Sequence, residues 1–217
     1  MDANDYLKGG SIEALEVKGE LFETFTLGPS VPPGNLLLQN ISFTDIKVIG
    51  EFTIRSGVIL HNVEFSGITC KAPITLSTYS VFDNVVIKGK LKSLWIRPEE
   101  IFDKQRNEDL NQWLSRSPKS FIDISALQSD EVEILGIPAK QIKLDPNRHV
   151  CISSEASKGI DWEQLGIDRT SYWRLLLRRL KTFDVDIGVF STPPQNHKNY
   201  ETIIREKEKL NEAGFFV

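Results

Sequence analysis

Gln39-Asn40-Ile41-Ser42-Phe43, His61-Asn62-Val63-Glu64-Phe65 and Asp83-Asn84-Val85-Val86-Ile87 carry asparagines spaced 22 residues apart. The columns around them match as well. Leu38, Leu60 and Phe82 align, as do Ile41, Val63 and Val85, then Phe43, Phe65 and Ile87, and then Phe52, Ile74 and Ile96. A fixed period of about 20 to 30 residues made of short alternating stretches marks a stacked β-coil. Each coil lays its columns on the coil below and buries an inner row of side chains that no single coil could cover. Asparagine suits the recurring position. It tolerates left-handed backbone angles, and its amide is able to bond the next coil in a ladder.

The pattern spreads outward from residues 35–97. In an irregular first coil over 11–30, Leu15, Val17, Leu21, Phe25 and Leu27 alternate, with Lys18 in the asparagine column. Gly28-Pro29-Ser30 and Pro32-Pro33-Gly34 then break the chain. A terminal repeat is expected to be atypical, because one of its faces meets water. Within the clear coils, Ile, Val, Phe and Thr dominate, as a pleated, half-buried surface favours. The last of these coils departs from the pattern. Lys88, Lys90 and Lys92 alternate on one strand face, with Ile87, Gly89 and Leu91 on the other. This reads as a solvated face that discourages edge pairing, or as a small basic contact site for an acidic partner.

A helical insertion is expected at 98–117. Pro98 suits a first helical turn, Glu99 and Glu100 complement its positive end, and Ile101, Phe102, Leu110, Trp113 and Leu114 form an apolar stripe before Pro118. Strands return at 121–124, 132–135, 141–144 and 149–152, spaced for one or two further coils. The domain reading is therefore a β-helix domain over 1–160 and an α-rich segment over 161–217 packed on it. In the latter, Asp161 with Gln164 forms a variant capping box, and Asp168 and Thr170 offer a second helix start. Trp173, Leu176, Leu177 and Leu180 follow helical spacing. A β-like piece over 185–190 precedes a final helix capped by Asn199 and stopped at Gly214, and Phe215-Phe216-Val217 is expected to dock on the body.

Composition narrows the function classes. The chain has 217 residues, 40% hydrophobic and 26% charged, with a formal charge of −4. That balance offers no broad attraction to nucleic acid or anionic lipid. The start, Met1-Asp2-Ala3-Asn4-Asp5, lacks the basic and apolar run of a signal peptide, and no stretch is apolar enough to span a bilayer. Cys70 and Cys151 read as free buried thiols, so a cytoplasmic home is the expectation.

Motifs for chemistry are missing from the sequence. His61, His149 and His197 lie far apart, and no metal-ligand spacing, nucleophile elbow or phosphate-binding glycine loop occurs. No catalytic residue, cofactor or metal is expected. Arg169, Arg174, Arg178, Arg179 and Lys181 crowd one helix, yet residues 161–217 balance nine basic against nine acidic side chains, so nucleic acid is not expected as a partner.

The coils at 35–97 resemble a degenerate right-handed parallel β-helix of the pentapeptide-repeat kind, without its strict five-residue pattern. Small β-coil proteins with a helical end and no active site are in turn similar to immunity proteins of bacterial toxin–immunity systems. That resemblance implies a non-enzymatic cytoplasmic protein that binds and neutralises a cognate toxin domain. The acidic excess implies a basic partner, with Glu99, Glu100, Asp103, Glu108 and Asp109 as the contact. The alternatives are a carbohydrate-active β-helix enzyme and a self-assembling scaffold. The sequence leaves the oligomeric state open.

Overall fold

The structure, a computed structural model, describes residues 10–28, 36–99, 108, 112 and 121–217. Two left-handed corners shape each of the first four coils. Asn40, Asn62 and Asn84 adopt φ of 55°, 52° and 59°. Side chains alternate in and out along Leu36–Thr44 and Val58–Ser66, but at the corner two successive residues face out, Gln39 with Asn40 and His61 with Asn62. The left-handed residue thus turns the strand while Leu38 and Ile41 both stay inside. The second corner falls at Asp45, Gly67 and Gly89, with φ of 54°, 64° and 90°. A Cβ at Gly67 would lie 2.3 Å from Asp45 Oδ1, so a side chain there would have to push that carboxylate aside as well as hold a left-handed φ.

The first coil runs through β1 (Gly10–Glu13), β2 (Glu16–Lys18), β3 (Leu21–Phe22) and β4 (Phe25–Leu27). The second comprises β5 (Leu36–Thr44), β6 (Lys47–Val48) and β7 (Phe52–Ile54), and the third β8 (Val58–Ser66), β9 (Thr69–Cys70) and β10 (Ile74–Ser77). All pair in parallel with the equivalent strand of the next coil. In the first coil Ala14, at φ 55°, holds the asparagine column and Gly19, at φ 67°, the second corner. The expected occupant Lys18 pairs instead with Thr44, just before that second corner.

The fourth coil is shorter. β11 (Val81–Arg97) passes through 17 residues without the small third face that β6 and β9 make. Phe52 and Ile74 therefore stack on Leu94, while Ile96 continues the column of Ile54 and Leu76. The expected alignment of Ile96 with Ile74 is corrected by two residues. The cause is the stretch Gly89-Lys90-Leu91-Lys92, whose exposed lysines cannot line a core column, so the chain cuts the corner with only Leu91 inside. The inner columns close on one another through aromatic rings. Phe25 stacks on Phe52 at 4.4 Å and Phe43 on Phe65 at 5.2 Å, with edge contacts between the two stacks. Each such pair adds about 0.5–1.5 kcal/mol beyond area burial.

Parallel pairing continues through β12 (Ile122–Asp123), β13 (Leu127–Leu135) and β14 (Ile142–Lys143), giving a parallel β-solenoid of about five turns. It then stops. β15 (His149–Ser153) does not start another coil. It runs antiparallel to β16 (Ile187–Ser191), which itself runs antiparallel to β13. Phe216 bridges Ile152, and the Val217 N–H donates to Cys151 O at 3.0 Å. Helices α1 (Ser154–Lys158), α2 (Tyr172–Thr182) and α3 (Tyr200–Glu212) cover this antiparallel end. Together they form a second core around Leu135, Ile152, Trp173, Leu180, Phe190, Leu210 and Phe215. Trp173 is fully buried and donates its indole N–H to Ile203 O at 3.1 Å. Ser171, not Asp168 or Thr170, caps α2 by accepting from the Arg174 N–H. Asp161 accepts from the Gln164 N–H but opens only a turn. Asn199 precedes α3 without a side-chain cap, and Gly214 ends it at φ 72°. Of the helix expected at 98–117, Glu108 and Gln112 are helical and the rest, apart from Pro98 and Glu99, lies outside the described residues.

The corner makes a stability prediction. Asn62→Gly keeps the left-handed turn and loses only side-chain bonds, for a loss of about 1 kcal/mol. Asn62→Val forces a branched residue into that turn and costs at least about 2 kcal/mol. Urea midpoints measure both, and equal losses would remove the corner as the cause.

Candidate functional site

The outward side chains of the first two faces form an ordered lattice. The Asn62 amide donates to Asn40 Oδ1 at 3.0 Å, and Asn84 donates to Asn62 Oδ1 at 2.8 Å. The second Asn62 hydrogen reaches His61 Nε2 at 3.2 Å, while His61 Nδ1 lies 2.6 Å from Asp83 Oδ2. With Nε2 accepting, Nδ1 carries the proton and donates to the carboxylate. A carboxylate–imidazole pair is the start of a general base. Here the nitrogen that would take a proton already accepts one from Asn62, so the pair orders the surface.

Of the five residues expected at a contact, Glu99 is half-buried and fully engaged. Its two oxygens accept from the Ser56 N–H at 3.0 Å and the Ser56 hydroxyl at 2.9 Å. Glu108 is exposed, and Glu100, Asp103 and Asp109 lie outside the described residues. The lysine row is exposed at Lys90 and Lys92, while Lys88 pairs with Glu64 at 2.9 Å. The five basic residues of α2 and its approach separate into different tasks. Arg179 makes a bidentate pair with Glu133 at 2.8 Å, Arg174 lies over the Trp162 ring at 5.1 Å, and Arg178 donates to Arg169 O at 2.7 Å.

The Arg179 pair joins the helical end to the solenoid. Glu133 projects from β13 beside Trp95, and Arg97 lies over the Trp95 ring at 4.3 Å and the Phe183 ring at 5.7 Å. Arg179 stacks on the same Phe183 at 5.2 Å. Sequence reading missed this junction. Glu133 standing alone between Val132 and Ile134 is the one local signal, and nothing local names the arginine that answers it.

The thiols are held away from reactivity. Burial pushes Cys151 up to about 11, and burial likewise raises Cys70. His149 is buried, and its Nδ1 accepts the Asp145 N–H at 3.3 Å. Burial holds its pKa below the ordinary 6.5, with Arg148 adding to the effect and Asp145 opposing it.

The free end of the first coil is the other surface of note. Glu13, Glu16, Glu20 and Glu23 are all exposed, against the single basic Lys18 within residues 10–28. Leu15 and Leu21 of this coil are exposed to 39% and 58%, and Ile49, on the second coil directly behind Phe22, to 52%. Acidic rim and apolar centre suit a protein contact. Among the described residues no group of His, Cys, Asp and Glu could hold a metal ion, and no helix is long and apolar enough to cross a membrane. The chain matches no family model, no curated protein and no solved structure.

Two predictions follow the junction and the buried imidazole. The Glu133 side chain is 6% exposed and that of Arg179 41%. Arg179→Ala strands a buried carboxylate and is expected to cost about 3 kcal/mol or more, whereas Glu133→Ala frees an arginine that reaches water and costs less. Chemical denaturation of both variants checks the order, and the reverse order would place the charge burden on the arginine. For His149, the unfolded chain binds the proton that the fold disfavours. Stability is therefore full above the ordinary histidine value of 6.5 and declines as pH falls through 6.5 toward the lowered folded value. Melting curves across that window are expected to show this slope, and His149→Gln is expected to flatten it.

Proposed function

We propose that this chain is a non-enzymatic protein-binding module, and most concretely a cytoplasmic immunity protein that binds and neutralises a basic toxin domain. The observation that carries the reading is the preformed outer lattice. Asn40, Asn62, Asn84, His61 and Asp83 hold one another at 2.6–3.2 Å, so their side chains are already ordered before any partner arrives. Ordering an interface side chain on binding costs about 0.5–1.5 kcal/mol, and a surface fixed beforehand avoids much of that loss. The formal charge of −4 supports a basic partner, because complementary charge speeds encounter and rejects acidic competitors. The engaged state of Glu99 moves the contact away from that residue, and the free end of the first coil offers the better acidic surface.

The test begins with capture of a partner by the tagged chain from its native host, identified by mass spectrometry. The expected result is one stoichiometric protein that arrests growth when expressed alone and is harmless when the two are co-expressed. A partnerless eluate, or turnover of a polysaccharide by the chain, would overturn the reading.

A further inference from the structure

We propose that the free end of the first coil docks a basic, strand-forming segment of a partner protein, an inference that rests on the binding function above. β1–β4 bond to the second coil on one side only. The Ala14 N–H donates to Gln39 O at 3.0 Å, Gly19 to Thr44 O at 3.0 Å and Phe25 to Glu51 O at 2.9 Å. Their opposite edge has no strand neighbour among the described residues. An unpaired row of N–H and C=O groups is a template for another strand. The other end of the same sheet has been turned to antiparallel pairing with β16, β15 and Phe216. The far parallel edge that remains among the described residues is the two-residue β14, paired with β12 alone, so the first coil presents the longer parallel edge.

The side chains name the occupant. In the first coil's inner layer Phe25 and Leu27 are buried, but Ile12, Val17 and Phe22 are only half-buried, so apolar residues of an added strand would complete their cover. Around them Glu13, Glu16, Glu20 and Glu23 make no ion pair among the described residues. A second copy of this chain would set four carboxylates against four, which like-charge repulsion opposes. A segment alternating lysine or arginine with β-branched residues satisfies the backbone edge, the apolar layer and the charged rim together.

The probe is a short peptide of alternating lysine and valine, titrated at low salt into the isotope-labelled full chain and followed by amide shifts. Shifts are expected to concentrate in residues 10–28 and 45–51 and to fade as salt is raised. The combined variant Glu13→Lys, Glu16→Lys, Glu20→Lys and Glu23→Lys is expected to bind about tenfold weaker or worse. Leu21→Ser, which leaves the charge alone, is expected to weaken binding as well. Shifts centred elsewhere, an absent response, or an equal response to a glutamate–valine peptide would overturn the proposal. Self-association abolished by Leu21→Ser would overturn it in favour of a second copy. A captured partner that ignores these reversals but responds to Glu100→Lys, Glu108→Lys and Asp109→Lys overturns this surface and leaves the binding function standing. Peptide docking here without any toxin leaves the surface standing and removes the immunity reading.

Discussion

Every face of the solenoid depends on the left-handed turn at Asn40, Asn62 and Asn84. Strand alternation alone would put Leu38 and Ile41 on opposite faces, since they are an odd number of residues apart. Making both face inward demands one residue outside the β region, and a side chain that tolerates it is asparagine or glycine. Asparagine adds what glycine cannot. Its amide bonds the coils above and below at 2.8 and 3.0 Å, tying the turn of one coil to the turn of the next. The second corner solves the same problem under tighter space. There a Cβ on Gly67 would displace the Asp45 carboxylate, which lies 2.3 Å from that position.

This constraint explains why the 22-residue period was legible and where it ceased to be. Asparagine columns, aliphatic columns and lysine substitutions all appear in the sequence because each corner and core position selects a narrow residue set. The slip at Leu94 was not legible. Losing a whole small face changes coil length by two residues, and Ile96 and Leu94 are equally apolar, so hydrophobicity could not choose between them. The first coil misled for a similar reason. Ala14 carries no signal of a left-handed angle, while the polar Lys18 looked like a corner residue. From His149 onward the alternation persists but its meaning changes, because strand direction leaves no trace in a pattern of period two.

Site residues were harder still, since outward positions answer to partners in space. Glu99 was read as a free acid at a helix start, yet Ser56, 43 residues away, holds both of its oxygens. Arg179 was read as part of a basic helix face, yet Glu133, 46 residues away, consumes its charge. In both cases the long-range partner converts an apparent binding group into a joint. The carboxylates of the first coil make no ion pair and meet no further strand layer among the described residues.

The two ends of the molecule obey the same rule in opposite ways. A stack of parallel coils always leaves one ladder edge exposed at each end, and an exposed edge invites pairing. At the far end the chain answers by reversing direction beside β13: β16 and β15 add antiparallel, Phe216 bridges Ile152, and α1–α3 bury the result around Trp173, while the neighbouring ladder ends in the two-residue β14. At the near end it answers with charge, placing Glu13, Glu16, Glu20 and Glu23 around an inner layer in which Ile12, Val17 and Phe22 stay half-covered. Charge is a selective barrier where a packed cap is an absolute one. It repels a like-charged copy and an acidic strand, but it attracts a basic one. Among the described residues the first coil meets water with carboxylates and not with a packed cap, which is why the proposed occupant is a segment of opposite sign.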